Sequence, residues 1–98
     1  MEDIERLKKI VVPIAEKHGI ARMSLFGSRA RGEERPSSDY DFWIACGRLR
    51  GLFALGGLLC DLEDALGTRV DIIADTCHDP EIMQEVRNDA VLLYEQAG

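Results

Sequence analysis

The chain has 98 residues, a net charge of −6, 46% apolar residues and 31% charged residues. This length suits one small domain that buries roughly 60% of its unfolded surface, and the apolar content is too high for a disordered chain. The net charge disfavours broad binding to a nucleic-acid backbone, because that binding depends on clustered Lys and Arg. We therefore expect one folded domain over residues 1–98, with nucleic acid disfavoured as a partner.

The N-terminal segment and the cysteines favour the cytoplasm. Residues 1–19 begin with acids, whereas a signal peptide begins with basic residues. No apolar run reaches the ~18 residues that a membrane span requires. Cys46, Cys60 and Cys77 are widely spaced, which indicates free, buried thiols rather than a disulfide framework. We expect a cytoplasmic protein with no membrane contact.

Hydrophobic periodicity predicts helices that alternate with strands. An amphipathic helix is expected over residues 3–18, where Gly19 ends it, and a second over residues 52–66. Gly56 and Gly57 weaken the second helix, so we expect its first half to be loop-like. A further helix begins at Asp79-Pro80, with Asp79 as its N-cap.

Three strands are predicted between these helices, at "ARMSLFG", "DYDFWIA" and "TRVDIIAD". The terminal "DAVLLYE" fits either an edge strand or a last helical turn. The Gly-Ser pair after the first strand is expected to enter another helix. The approximate order α-β-α-β-α-β-α-(β) predicts a small α/β structure with helices packed over one sheet.

The second strand carries two acids on one face. Its period of two turns Tyr40, Phe42 and Ile44 one way and Asp39, Asp41 and Trp43 the other. In the third strand, Asp71 faces away from Val70 and Ile72. Two carboxylates this close raise each other's pKa unless a cation lies between them, and Mg²⁺ is typically held by one or two carboxylates plus substrate phosphates. The alternative is that the pair lies on a solvated strand end.

A Gly-Ser turn precedes the acids. Gly27 allows close approach of the backbone to a ligand, and Ser28 offers a hydroxyl to an anion. The segment is not a P-loop, because Glu33 and Glu34 stand where that motif needs Lys and Ser or Thr. Arg29 and Arg31 could pair with phosphate oxygens or with the carboxylates, or they could lie on a solvated helix face.

The segments "GSRARG", "SDYDFWI" and "VDII" together resemble the polymerase β-type nucleotidyltransferase superfamily. More closely, GSxxxG, five residues and SDxD are similar to the pattern of the prokaryotic minimal nucleotidyltransferases. The resemblance implies a mixed-sheet palm core, an α/β (α+β) fold with helices over the sheet. Less specific similarity, including "AVLLYE", extends over most of the chain.

The resemblance also implies a mechanism and its residues. Asp39, Asp41 and Asp71 would be catalytic and would ligate two Mg²⁺ ions. Four further residues would bind the nucleoside triphosphate, ATP being the expected substrate: Gly27, Ser28, Arg29 and Arg31. The expected reaction is transfer of AMP from ATP to an acceptor hydroxyl.

The partner implied by the resemblance is a HEPN-family ribonuclease toxin, with the nucleotidyltransferase as the antitoxin of a type VII-like pair that modifies a tyrosine of the toxin. One alternative is a non-catalytic antitoxin that neutralises its partner by occlusion. A second is a nucleotidyltransferase that acts on a small molecule or RNA. The apolar stretch "LRGLFALGGLL" could form a partner or homo-oligomer surface, or it could be ordinary core helix.

Overall fold

The computed structural model describes residues 3–27, 30, 39–74 and 80–96. Three helices and four strands follow one another in these residues: α1 (Ile4–His18), β1 (Arg22–Phe26), β2 (Tyr40–Ala45), α2 (Gly51–Leu66), β3 (Val70–Ala74), α3 (Pro80–Asp89) and β4 (Val91–Glu95). Three sequence expectations fall outside the described residues: the helix after the Gly-Ser pair, the N-cap at Asp79, and the buried thiol at Cys77.

The four strands form one mixed sheet in the order β3-β2-β1-β4. β1 runs antiparallel to both β2 and β4, and β2 runs parallel to β3. Because β2 and β3 are parallel, they need a crossover connection, which α2 provides. The predicted small mixed sheet with packed helices is confirmed, and the terminal "VLLYE" is an edge strand rather than a helical turn.

One face of the sheet builds the core together with α1 and α2. α1 packs against α2 and β4, and α2 also packs against β3. The residues with no exposed surface include Val11, Met23, Leu25, Phe42, Ile44, Leu58 and Leu62. Along β2 burial alternates as the period of two predicts, with Tyr40, Phe42 and Ile44 buried and the residues between them half-buried. The opposite face of β2 is therefore left for Asp41 and Trp43.

Glycines end the first two helices as predicted. Gly19 and Gly67 take left-handed conformations, with φ of 71° and 68°, at the C-caps of α1 and α2. The expectation that the first half of α2 would be loop-like is wrong, because α2 is helical from Gly51. Its partly buried Ala54, Leu55 and Leu59 pack against the core. This packing outweighs the poor helix propensity of Gly56 and Gly57.

A polar contact joins α1 to α2 on the outside of the core. Asp61 Oδ2 lies 2.7 Å from His18 Nε2 and 3.1 Å from Lys17 Nζ. The hydrogen bond from His18, followed by that from Lys17, lowers the pKa of the Asp61 carboxyl. His18 is thus a structural residue at the C-terminal end of α1.

Two other sequence expectations concern single features. Cys46 and Cys60 are not joined in a disulfide, as expected, but Cys46 is half-buried and Cys60 is exposed rather than buried. Within the described ranges, none of the helices has the length and apolar character needed to cross a lipid bilayer.

The Asp61 contact should make stability depend on acid pH. A carboxyl whose pKa is lowered on folding stabilises the native state above its unfolded pKa, and this contribution disappears as the pH falls through the lowered value. We expect Asp61→Asn to have a lower urea midpoint than the parent chain at pH 7, and the difference to shrink towards pH 3. A difference that stays constant over this range would show that the Asp61 charge does not contribute.

Alanine substitution should have opposite effects on stability at Gly56, inside α2, and at Gly67, the C-cap of α2. Gly56 is helical, and a Cβ there meets nothing within 4 Å, whereas Gly67 has a φ of +68°. We expect Gly56→Ala to raise the free energy of unfolding by roughly 0.5–1 kcal/mol and Gly67→Ala to lower it by about 1 kcal/mol. Urea titration of both variants tests this, and a destabilising Gly56→Ala would contradict it.

Candidate active site

The register of the sheet brings Asp41 and Asp71 together. Asp41 on β2 pairs with Asp71 on β3, in parallel strands whose backbones run about 4.8 Å apart. Paired residues of neighbouring strands point to the same face, which here is the face opposite α1 and α2. Asp71 is exposed and Asp41 is half-buried. The prediction that both acids face away from the core is confirmed for β2 and β3.

The core residues of β2 fix the direction of Asp41. Tyr40 and Phe42 flank it in sequence, are both buried, and stack with their ring centroids 5.8 Å apart. Since these two rings face the helices, the side chain between them must face the other way. Asp39 lies directly before β2 and is half-buried. It is therefore two residues from Asp41, at the end of the sheet where β2 begins.

Gly27 supports Asp41 from the other side. It follows β1, where Phe26 pairs with Asp41, and it has a φ of +78°. A Cβ built on Gly27 would stand 2.5 Å from Asp41 Oδ2 and 3.2 Å from Asp41 Cγ. The Asp41 carboxylate therefore occupies the space that a side chain at position 27 would need, and only glycine fits there.

The start of β3 is fixed by two hydrogen bonds. The backbone N–H of Val70 donates to Glu63 Oε2 at 3.1 Å. The backbone N–H of Tyr40 donates to the carbonyl of Arg69, also at 3.1 Å. These bonds hold β3 against α2 and β2 one residue before Asp71. The sequence analysis did not identify this role of Glu63. An acidic residue in the last turn of a helix before a strand is too common to indicate such a contact.

Trp43 lies two residues beyond Asp41 on the same face. Its register partners are Ser24 on β1 and Ile73 on β3. Within the described part of the chain, the Nε1 of Trp43 is a buried donor with no hydrogen-bond partner. The sequence placed Trp43 on the acidic face correctly, and the residue is half-buried there.

The donor set suits a hard divalent cation. Asp39, Asp41 and Asp71 offer only carboxylate oxygens, the ligands that Mg²⁺ prefers, and Mg²⁺ usually takes one or two carboxylates plus substrate phosphates. Among the described residues, however, no three His, Cys, Asp or Glu side chains form a group that could hold a metal ion, so the structure does not gather the three aspartates into one such group. Ser28, Arg29 and Arg31, the other predicted ligand-binding residues, lie outside the described residues.

The contact between Gly27 and Asp41 can be separated from backbone strain. Gly51 also has a positive φ, +82°, but a Cβ there meets nothing within 4 Å. Both Gly→Ala variants should lose about 1–2 kcal/mol of stability from the left-handed backbone, and Gly27→Ala should lose more because the carboxylate must move. Urea titration measures both losses. Equal losses would mean that Asp41 moves aside without cost.

Comparison with known proteins identifies the family. The family profile described as "Polymerase beta, Nucleotidyltransferase" matches residues 8–97. A Methanocaldococcus jannaschii protein named "Putative protein adenylyltransferase" is 36% identical over 89 residues, covering 91% of this chain and 96% of that protein. A solved structure described as a "putative minimal nucleotidyltransferase" superposes with a TM-score of 0.76 at 35% identity, covering 92% of this chain and 95% of that one.

A more distant structure shares the fold. It is a chain of the complex described as tri-AMPylated Shewanella oneidensis HEPN toxin with MNT antitoxin, with a TM-score of 0.73 at 17% identity. The match covers 96% of this chain and 74% of that one. The resemblance found in the motifs is thus borne out over almost the whole sequence, and the chain belongs to the polymerase β nucleotidyltransferase family.

Proposed function

We propose that this nucleotidyltransferase transfers AMP from ATP to a hydroxyl of a protein, and that it acts as the antitoxin of a HEPN-type ribonuclease toxin. The observation that carries the proposal is the in-register pair Asp41 and Asp71 beside the glycine turn at Gly27. The relative that is 36% identical is named as a protein adenylyltransferase, and the distant structural neighbour is a complex with an AMPylated HEPN toxin. ATP as the donor agrees with the expected cytoplasmic location.

In this proposal the nucleotide is bound at the Gly27 end of the site. The backbone after β1 and the hydroxyl of Ser28 hold the β- and γ-phosphates, and Arg29 and Arg31 pair with phosphate oxygens. Because Gly27 has no side chain, the Asp41 carboxylate can lie against the turn after β1. In the proposal this position brings the carboxylate close to the bound phosphates.

The carboxylates provide the charge that the reaction needs. Asp39, Asp41 and Asp71 would hold two Mg²⁺ ions, which when bound neutralise charge on the attacking and leaving oxygens. Asp71 faces the acceptor and takes the proton of its hydroxyl. The acceptor oxygen forms a bond to the α-phosphorus as the bond to pyrophosphate breaks, so one AMP is transferred and one pyrophosphate leaves. Positioning and charge neutralisation supply most of the rate enhancement.

The proposal predicts a reaction that depends on Asp41. With Mg²⁺, α-labelled ATP and a HEPN-type toxin as the acceptor, we expect AMP mass on that protein by intact mass spectrometry. Asp41→Asn should slow transfer by on the order of 100-fold or more, because several kcal/mol of charge stabilisation are lost. Chelation of the metal should stop the reaction.

The control is Asp64→Asn, which removes the same charge from an exposed position on α2. It should transfer AMP at the parental rate. Asp41→Asn should still form the complex but no longer neutralise the toxin. Neutralisation that survives without transfer would favour occlusion, and label on a small molecule or RNA instead of the protein would contradict the proposed acceptor.

A further inference from the structure

The groups of the site lie in a fixed order across the sheet. Gly27 ends β1, Asp41 is on the neighbouring strand β2, and Asp71 is on β3, which is an edge strand. In-line transfer places the attacking and leaving oxygens on opposite sides of the α-phosphorus. If pyrophosphate is held beside Gly27, as the proposed function requires, the acceptor hydroxyl must approach from the side of Asp71. That side is the outer edge of β3.

An apolar groove lies at this edge. It has a volume of about 390 Å³ and runs between α2 and β3, with walls formed by Leu52, Leu55, Leu59, Val70 and Ile72. Among the described residues, Asp71 is the only charged one that lines it. The groove therefore brings an apolar surface to the strand position that carries one of the candidate catalytic carboxylates.

Two of the three exposed large apolar side chains among the described residues lie at the start of α2, and one of them, Leu52, lines this groove. Phe53 is fully exposed and Leu52 is 84% exposed, while the third exposed large apolar residue, Leu92, lies on β4 at the opposite edge of the sheet. Leu58 and Leu62, on the other side of α2, have no exposed surface. The N-terminal half of α2 thus presents apolar side chains outward although its core face is already filled.

Gly56 contributes to the shape of the groove. It lines the groove, it lies inside α2, and nothing stands within 4 Å of where its Cβ would be. A helical glycine costs up to about 1 kcal/mol relative to alanine. No packing contact explains this cost, but the missing side chain widens the groove between Leu52 and Leu59.

We propose that this groove, together with Phe53, docks the acceptor protein of the transfer reaction. The occupant is an extended segment whose apolar side chains enter the groove and whose hydroxyl lies beside Asp71. Within the described residues the outer backbone edge of β3 has no neighbouring strand, so such a segment can also pair with it as an added strand. The net charge of −6 favours a segment flanked by basic residues.

The inference rests on the proposed function for its acceptor and is tested at Phe53, far from any catalytic role. Phe53→Glu should raise the KM for the HEPN-type partner by on the order of tenfold, the effect of removing one apolar side chain from an interface. The kcat at saturating partner and the affinity for ATP should stay within about twofold. Phe53→Leu, which keeps an apolar side chain at this position, should have a KM for the partner close to that of the parent chain.

Leu92→Glu is the matched control, because it introduces the same charge at another exposed apolar position, on the opposite edge of the sheet. It should leave the KM for the partner unchanged. An unchanged KM in Phe53→Glu, or an equal rise in both variants, would overturn the proposal. Loss of a self-associated form in Phe53→Glu with no change in KM would also overturn it, in favour of a second copy as the occupant.

Hydrogen exchange distinguishes failure of docking from failure of the proposed function. With the partner at a concentration near the parental KM, the amides of residues 52–59 and 70–72 should become protected in the parent chain and much less so in Phe53→Glu. Protection without any AMP transfer would support the docking surface while contradicting the transferase function. Transfer without protection of these amides would contradict the docking surface alone.

Discussion

The contact of Gly27 with the Asp41 carboxylate is the constraint on which the candidate site depends. Asp41 must face away from the core because Tyr40 and Phe42 fill the helix side of β2. Its carboxylate then occupies the position of the absent Cβ of Gly27. A single residue without a side chain thus joins the turn after β1 to the acid of β2, and any other residue would force the two apart.

The remaining parts of the site follow from how β3 is attached. β3 is held by its parallel pairing to β2 and by the bond between Glu63 and the N–H of Val70. This second bond comes from α2, the same helix that carries Leu52 and Phe53 at its other end. The orientation of Asp71 and the shape of the groove therefore depend on one helix, and a change in the position of α2 would alter both.

Much of this arrangement could be predicted from the sequence, because it depends on local patterns. The period of two put Asp41 and Asp71 on the outer faces of their strands, and Gly19 and Gly67 marked the ends of α1 and α2. The compound motif with its spacing indicated the family. Strand order and register could not be predicted, since they depend on pairing between distant segments. The expectation that the first half of α2 is loop-like was wrong because core packing outweighs the poor helix propensity of Gly56 and Gly57.

The position of β4 has a consequence for the order in which the fold can form. β1 is a central strand, but one of its two neighbours, β4, follows every other described element in sequence. Until β4 has paired, one edge of β1 is open. An exposed edge of this kind, carrying the apolar residues Met23, Leu25 and Phe26, is a template for pairing with other chains. Pairing with β4 therefore covers this edge of β1 as well as adding a strand to the sheet.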